Sequence, residues 1–356
     1  MDIKKELGKF KNQIDPEIEI FFKNIIAESK KNKFITTDAL KQVERIIMSG
    51  GKRLRPALMY WGYVGVGGKN KKELLKTSVS VELIHMFLLI HDDIIDNDKT
   101  RHGVKTIHTQ YKRIGDIVSK NKRDSKHFGN SVAIVVGDII GALGNQVLFE
   151  SKFPPESVIW VLSRLQSIIA MVAVGEAQDV FIEHRRIATE KEVLEMYKNK
   201  TAKYTIEGPL HLGAILGGAD EKVLKKITKF AVPVGIAFQI QDDILGIFGN
   251  EKKIGKPVGS DIREGKQTIL VVKALENADK RQKKILSNLV GKKDISKDEI
   301  EKFRNIIKET GSLTYANNLA QKLVREGKSQ LSNIGFDQET EKILSALADY
   351  MTERKI

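Results

Sequence analysis

The chain has 356 residues, 41% of them hydrophobic, 60 basic against 46 acidic side chains for a formal net charge of +14, and no cysteine. The missing cysteine excludes disulfides, thiolate metal sites and a cysteine nucleophile, and suits a reducing compartment. The length is ample for a large core, and with seven prolines and no linker-like stretch the chain reads as a single domain over 1–356. The lysines are spread along the whole sequence with no stacked basic-aromatic platform, so no nucleic-acid partner is expected. Anionic substrates or an anionic membrane surface are the partners that such a charge attracts. The opening MDIKKELGKFKNQ is charged and is no signal peptide. No run of about 18 apolar residues stands out, so no transmembrane segment is expected and the protein reads as soluble and cytoplasmic.

Apolar residues recur with helical spacing almost throughout, so the fold class is all-α. A first helix is expected over 3–30, with Ile20, Phe21 and Ile25 among its apolar positions. Thr37 is a candidate N-cap for a second helix over 38–48, ending at Gly50-Gly51. In GGKRLRPALMYWGY, Pro56 suits the first turn of a third helix. A long helix covers 72–97. Residues 104–128, with many charges and few apolar repeats, read as a mobile connection. A buried helix resumes at 127–149, followed by a long one over 155–184. Shorter helices are expected at 189–199 and 200–216, the latter interrupted near Pro209. An apolar helix over 221–247 leads into a glycine-rich charged loop, 248–265, and amphipathic helices fill the rest.

The long helix before residue 97 organises the chain. It ends in HDDIIDNDKTRHG, which gathers Asp92, Asp93, Asp96 and Asp98, with Arg101 and His102 just beyond. Residues four apart on a helix share a face, so Asp92 and Asp96 stand about 6 Å apart along the axis. His85 lies two turns earlier on roughly the same stripe. Like charges at this spacing cost roughly 0.2–0.5 kcal/mol. With oxygen donors only, Mg²⁺ is the natural counter-ion, since it keeps several waters and bridges carboxylates to phosphates. A charged, solvated helix end is the alternative for this run taken alone.

A second apolar helix also ends in paired acid, Asp242 and Asp243. Packed side by side, two such helices would put carboxylates on both walls of one apolar-floored cavity. Acidic walls bind an anion only with a cation between them. Lys52, Arg53 and Arg55 cluster after a double glycine, Arg101 flanks the first acidic run, and Lys200, Lys256 and Lys266 lie near the second. Lys and Arg are the usual binders of phosphate oxygens. Together these features describe a substrate with a diphosphate head and a hydrocarbon tail.

On GGKRLRP, HDDIIDNDKTRHG, HFGNSVAIVVGD, KTAKYT, FQIQDDILGIFGN and GKPVGSDIREGK, in that order, the chain resembles the trans-isoprenyl diphosphate synthases, the polyprenyl synthetase family, from about 50 to 354. The resemblance implies an isoprenoid-synthase-type helical bundle around a deep apolar cavity, normally a homodimer. It implies about three Mg²⁺ ions, two at Asp92, Asp93 and Asp96 and a third at Asp242, with Asp243 nearby. It assigns Arg101, Lys200 and Lys256, supported by Lys266, to the allylic diphosphate. Thr201 and Gln239 would turn oxygen dipoles toward the allylic carbon, and Gly51, Lys52, Arg55 and His85 would hold isopentenyl diphosphate.

Two positions depart from the common family pattern. His102 stands where a second arginine helps to bind isopentenyl diphosphate, so affinity there is expected to be lower or pH-dependent. Gly246 stands where a third aspartate is common, and Asn250 or Asp261 could assist. Phe87 matches the family's chain-length floor on resemblance alone, since helix geometry puts Leu88 rather than Phe87 on the stripe below Asp92. A bulky Phe87 resembles short-chain synthases making C15 or C20, with geranylgeranyl diphosphate favoured. A class I terpene cyclase would need no isopentenyl diphosphate site, and a non-catalytic regulatory subunit would show eroded aspartates. Both remain alternatives.

Overall fold

The computed structural model describes residues 1–32, 36–119, 124–249 and 259–352. Among them the elements are helical except for one two-residue hairpin, as the apolar periodicity predicts. The residues group into two compact units, 2–61 with 68–162, and Met1, 62–67 with 163–356.

In the first unit α1 (Ile3–Ser29) starts at Asp2, whose carboxylate accepts from the N–H groups of Lys4 and Lys5. It buries Ile3, Leu7, Phe10, Ile14, Ile18, Phe22 and Ile26, one stripe at three- and four-residue spacing. Ile20, by contrast, is exposed. α2 (Thr36–Met48) begins one residue before the expected cap, so Thr37 lies inside the helix rather than at its N-cap. α3 (Leu54–Gly65) has Pro56 in its first turn. α4 (Lys71–Ile95) is capped by the Asn70 side chain and buries residues on most of its circumference, in keeping with a helix enclosed by neighbours.

The described residues of the stretch expected to be a mobile connection, 104–119 and 124–128, are structured, and 120–123 lie outside the described residues. After α4 comes a hairpin, β1 (Thr100–Arg101) paired antiparallel with β2 (Val104–Lys105), and then α5 (Ile107–Val118). Ile107, His108, Tyr111 and Gly115 of α5 are buried, and Tyr111 hydroxyl donates to Asp38 of α2. Its charges lie on the outer face, which is why the run looks loop-like when read for polarity alone. α6 (Ser125–Phe149), capped by Asp124, packs closely on α4. A methyl at Gly137 would meet the His91 ring at 2.4 Å, and one at Gly144 would meet Ile84 at 2.9 Å. Small residues on this face let the two backbones approach.

α7 (Pro155–Arg185) follows. In the second unit a capping box of Thr189 and Glu192 starts α8 (Glu190–Tyr197). Residues Lys198–Glu207 form a π-helical stretch, and α9 (Gly208–Leu216) continues from it, so there is no break at Pro209, which sits in the first turn of α9. α10 (Glu221–Phe248) is the hub of this unit, with buried residues along its length from Leu224 to Ile247. Gly235 lets the π stretch come close, since a methyl there would meet Ala202 Cα at 2.5 Å. Part of the expected loop after α10 is helical, as α11 (Ser260–Glu264). Then come α12 (Ile269–Asn277), α13 (Lys280–Leu289), α14 (Lys297–Glu309), α15 (Ser312–Lys328) and α16 (Gln338–Thr352).

The expectation that no helix suits a membrane needs correction. By length and composition α4, α6, α7 and α10 are each long and apolar enough to cross one. Glycines, serines and one or two charges interrupt each run without lowering its mean hydropathy much, which hides these helices from a search for unbroken apolar stretches. More than half of the apolar window is buried within the protein in α4 (61%) and α10 (56%), against 39% in α6 and α7.

Candidate active site

In the first unit the site is built at the wet end of α4. Asp92 and Asp96 are partly exposed, as is Asp98 in the turn after the helix, whereas Asp93 is buried. The hairpin folds Arg101 back over them. Its Nε and Nη2 donate to Asp93 Oδ1 at 2.9 and 2.5 Å, and Nη2 lies 3.6 Å from both Asp92 Oδ2 and Asp98 Oδ2. Asn97 (φ 56°), His102 (φ 50°) and Gly103 (φ 76°) supply the left-handed turns that this return requires. Burial pushes the Asp93 carboxyl up to about 6 against the pull of Arg101.

Of the residues assigned by resemblance to isopentenyl diphosphate, Arg55 and His85 lie near Arg101 and His102. Gly51 (φ 95°) turns the chain between α2 and α3, and Lys52 and Arg55 follow it. The His85 imidazole is held well below its ordinary range, first by desolvation and then by Arg55, Arg101, His102 and Arg53. These side chains therefore share one electrostatic neighbourhood. The His102 ring lies on Gly50, where a methyl would meet its Cγ at 2.6 Å. Desolvation, Arg101 and Arg53 also hold His102 below its usual range. Phe87 packs on α6 against Gly141, with 3.2 Å from its ring to the methyl that the glycine lacks, and edge-on to His91 at 4.9 Å.

In the second unit the functional side chains come from α7, the π stretch and α10. Lys200 Nζ lies 2.7 Å from Glu176 and 2.8 Å from Asp179, and Lys266 Nζ lies 3.4 Å from the same Asp179 oxygen. Desolvation pushes the Asp179 carboxyl up, but the two lysines together outweigh it and hold it below the usual range. A second chain of bonds crosses from the π stretch to α10. Thr201 hydroxyl donates to Gln239 Oε1 at 2.6 Å, and Gln239 Nε2 donates to Asp243 Oδ1 at 2.8 Å. Tyr197 hydroxyl donates to the other Asp243 oxygen and accepts from the Ile269 N–H at 3.0 Å. Burial, and after it the nearby Asp261, push the Asp243 carboxyl well up. The Asp261 carboxylate fills the space beside Gly246, where a methyl would meet Oδ2 at 2.4 Å. Lys256 and Asn250 lie outside the described residues.

The donors fit Mg²⁺. They are all carboxylate oxygens. Among the described residues no group of three or more His, Asp or Glu side chains is placed to hold a metal ion. Asp92 and Asp96 are the more open donors of the first run and Asp242 of the second, since Asp243 has both oxygens engaged by hydrogen bonds.

Sequence reasoning missed Glu176, Asp179, Tyr197, and the Asp15 and Glu82 partners of Arg53. Glu176 and Asp179 had a signal, two acids one turn apart on an otherwise apolar stretch of α7. Tyr197 had none, because a tyrosine on a short helix is ordinarily core.

Residues 37–307 match the family described as Polyprenyl synthetase. The chain belongs to the polyprenyl synthetase family. This polyprenyl synthetase is 35% identical over 353 residues to a geranylgeranyl diphosphate synthase of Saccharolobus solfataricus, covering 98% of each chain. It is 34% identical over 341 residues to a short chain isoprenyl diphosphate synthase of Methanocaldococcus jannaschii, covering 95% of this chain and 97% of that one. Among solved structures, geranylgeranyl pyrophosphate synthase from Corynebacterium glutamicum, crystallised with isoprenyl diphosphate and magnesium, matches with a TM-score of 0.89 at 30% identity over 98% of this chain and 99% of that one. The fold is thus the all-α isoprenoid-synthase fold.

Proposed function

We propose that this polyprenyl synthetase joins isopentenyl diphosphate to an allylic diphosphate, head to tail and in trans, to make geranylgeranyl diphosphate, with farnesyl diphosphate the shorter alternative. The observation that carries this reading is the cluster of Arg55, His85, Arg101 and His102 beside the aspartates of α4. A terpene cyclase needs no second cationic diphosphate site next to its acidic run, and a regulatory subunit needs neither intact. The names of the relatives support the same class and the C20 product.

In this reading Asp92, Asp93 and Asp96 would hold two Mg²⁺ ions and Asp242, with Asp243, a third. When bound, these ions would supply positive charge to offset that of the departing diphosphate. Arg101, Lys200, Lys256 and Lys266 grip that diphosphate and stabilise it as it leaves. Thr201 and Gln239 set oxygen dipoles against the allylic carbon as its C–O bond breaks. Gly51, Lys52, Arg55 and His85 hold isopentenyl diphosphate, with His102 in place of a second arginine. Apolar side chains of α4, Phe87 and Leu88 among them, keep water from the cation. The isopentenyl double bond then forms the new C–C bond, and the proton lost goes to the released diphosphate.

The chain acts as one polyprenyl synthetase domain over 1–356, as a homodimer in the cytoplasm. Exposed Ile134 and Val135 on α6 supply apolar surface for a subunit contact in this reading. The test is incorporation of radiolabelled isopentenyl diphosphate with dimethylallyl, geranyl and farnesyl starters, with and without Mg²⁺. Mg²⁺-dependent C20 product is expected, falling on the order of 100-fold in rate for Asp92→Asn. No incorporation with any starter by folded protein would overturn the reading.

A further inference from the structure

The stretch matched by the family begins at residue 37, so α1 lies outside it. One side chain of α1 nevertheless reaches the loop that carries Lys52 and leads into Arg55 in the first turn of α3. That loop contains two left-handed residues, Gly51 at φ 95° and Arg53 at φ 52°. Glycine adopts this conformation readily, whereas arginine does so only when its surroundings hold it there.

The surroundings of Arg53 do hold it. Its side chain is 2% exposed. Nε donates to Asp15 of α1 at 2.6 Å. Nη1 donates to the Gly50 carbonyl at 3.0 Å and to Glu82 of α4 at 3.3 Å. Nη2 donates to the Ile47 carbonyl at 2.9 Å, at the end of α2. One planar guanidinium therefore ties together the end of α2, the turn after it, α1 and α4. On α4 it grips Glu82, one turn before His85, so the loop is locked to the same stretch of helix that carries the imidazole. The residues on either side of this anchor along the chain are Lys52 and, two on, Arg55.

We propose that Arg53 is the positioning residue of the isopentenyl diphosphate loop, and that Asp15 of the first helix acts through it to set where Lys52 and Arg55 stand. The proposal rests on the reading of Lys52 and Arg55 as diphosphate binders. Arg53 itself does not touch substrate. Its guanidinium is already committed to carboxylates and carbonyls in several directions, a task for a fork of fixed donors that a lysine ammonium cannot reproduce. The consequence is specific. Loosening the anchor lets the two neighbouring cations wander while the aspartates at the end of α4 keep their own partner, Arg101. Binding of isopentenyl diphosphate should suffer, and binding of the allylic substrate should not.

The experiment compares Asp15→Asn, Asp15→Glu and Arg53→Lys with Lys52→Ala and Arg55→Ala in the full-length enzyme, measuring KM for each substrate, kcat and Tm. Asp15→Asn and Arg53→Lys are expected to raise KM for isopentenyl diphosphate about tenfold, with kcat reduced less than about threefold and KM for the allylic substrate within about twofold. Asp15→Glu, which keeps the charge, should recover part of the loss. A lowered Tm with both KM values unchanged would reduce Arg53 to a structural tie and overturn the proposal. If Lys52→Ala and Arg55→Ala also leave KM for isopentenyl diphosphate unchanged, the loop is not the diphosphate site and the reading beneath the proposal fails with it. Should Arg53→Lys not fold, Asp15→Asn decides alone, since Asp15 is partly exposed and its substitution is isosteric.

Discussion

Replacing Phe87 by alanine probes the depth of the site. The Phe87 ring lies on α6, against Gly141 and edge-on to His91. The substitution removes about six carbon atoms, close to the five of one isoprene unit, and the neighbouring helices relax only partly into the space. If the growing hydrocarbon chain ends at this ring, the main product should lengthen by about one unit, from C20 to C25. Phe87 is half-buried, so the stability cost is about 2 kcal/mol, below the range for a fully buried phenylalanine. The assay is chain-length analysis of the dephosphorylated products from radiolabelled isopentenyl diphosphate, with Leu88→Ala in parallel. Leu88 stands four residues before Asp92, where simple helical spacing would put the floor. An unchanged product distribution from folded Phe87→Ala enzyme would refute the reasoning. Lengthening in Leu88→Ala alone would move the floor to the stripe that spacing predicts.

Tyr197→Phe removes the donor to one Asp243 oxygen and the acceptor for the Ile269 N–H, both buried. Two orphaned buried groups should cost about 2–5 kcal/mol in urea unfolding. An effect under about 0.5 kcal/mol would mean that water replaces the hydroxyl. His211, 3% exposed, is bonded to the Leu224 carbonyl at 2.9 Å, and burial lowers its imidazole from 6.5 to about 4. The unfolded chain takes up this proton below 6.5 while the folded one does not until about 4. Stability is therefore lost as pH falls through that window, by up to about 3 kcal/mol. His211→Gln should flatten that part of the pH dependence, and an unchanged slope would show that other groups carry it.

Much of this protein is legible in its sequence because periodicity and local spacing are local physics. The helical pattern gives the fold class. The four-residue step puts Asp92 and Asp96 on one face, and two apolar helices ending in acid, with basic residues between, describe a metal-bridged diphosphate. The reading fails where the deciding contact is distant in sequence. The run 104–128 looks like loop because its charges are read without the packing of α5 (Ile107–Val118) against α6. Asp243 looks the equal of Asp242 until Tyr197 and Gln239 are seen to hold both of its oxygens. Gly246 looks like a lost aspartate until the Asp261 carboxylate is found against it. Arg53 looks like one more surface cation of a basic turn. Only the tertiary structure shows it buried between Asp15, 38 residues before it, and Glu82, 29 residues after it. A buried charge is stable only with such partners, and no spacing rule along the chain supplies them.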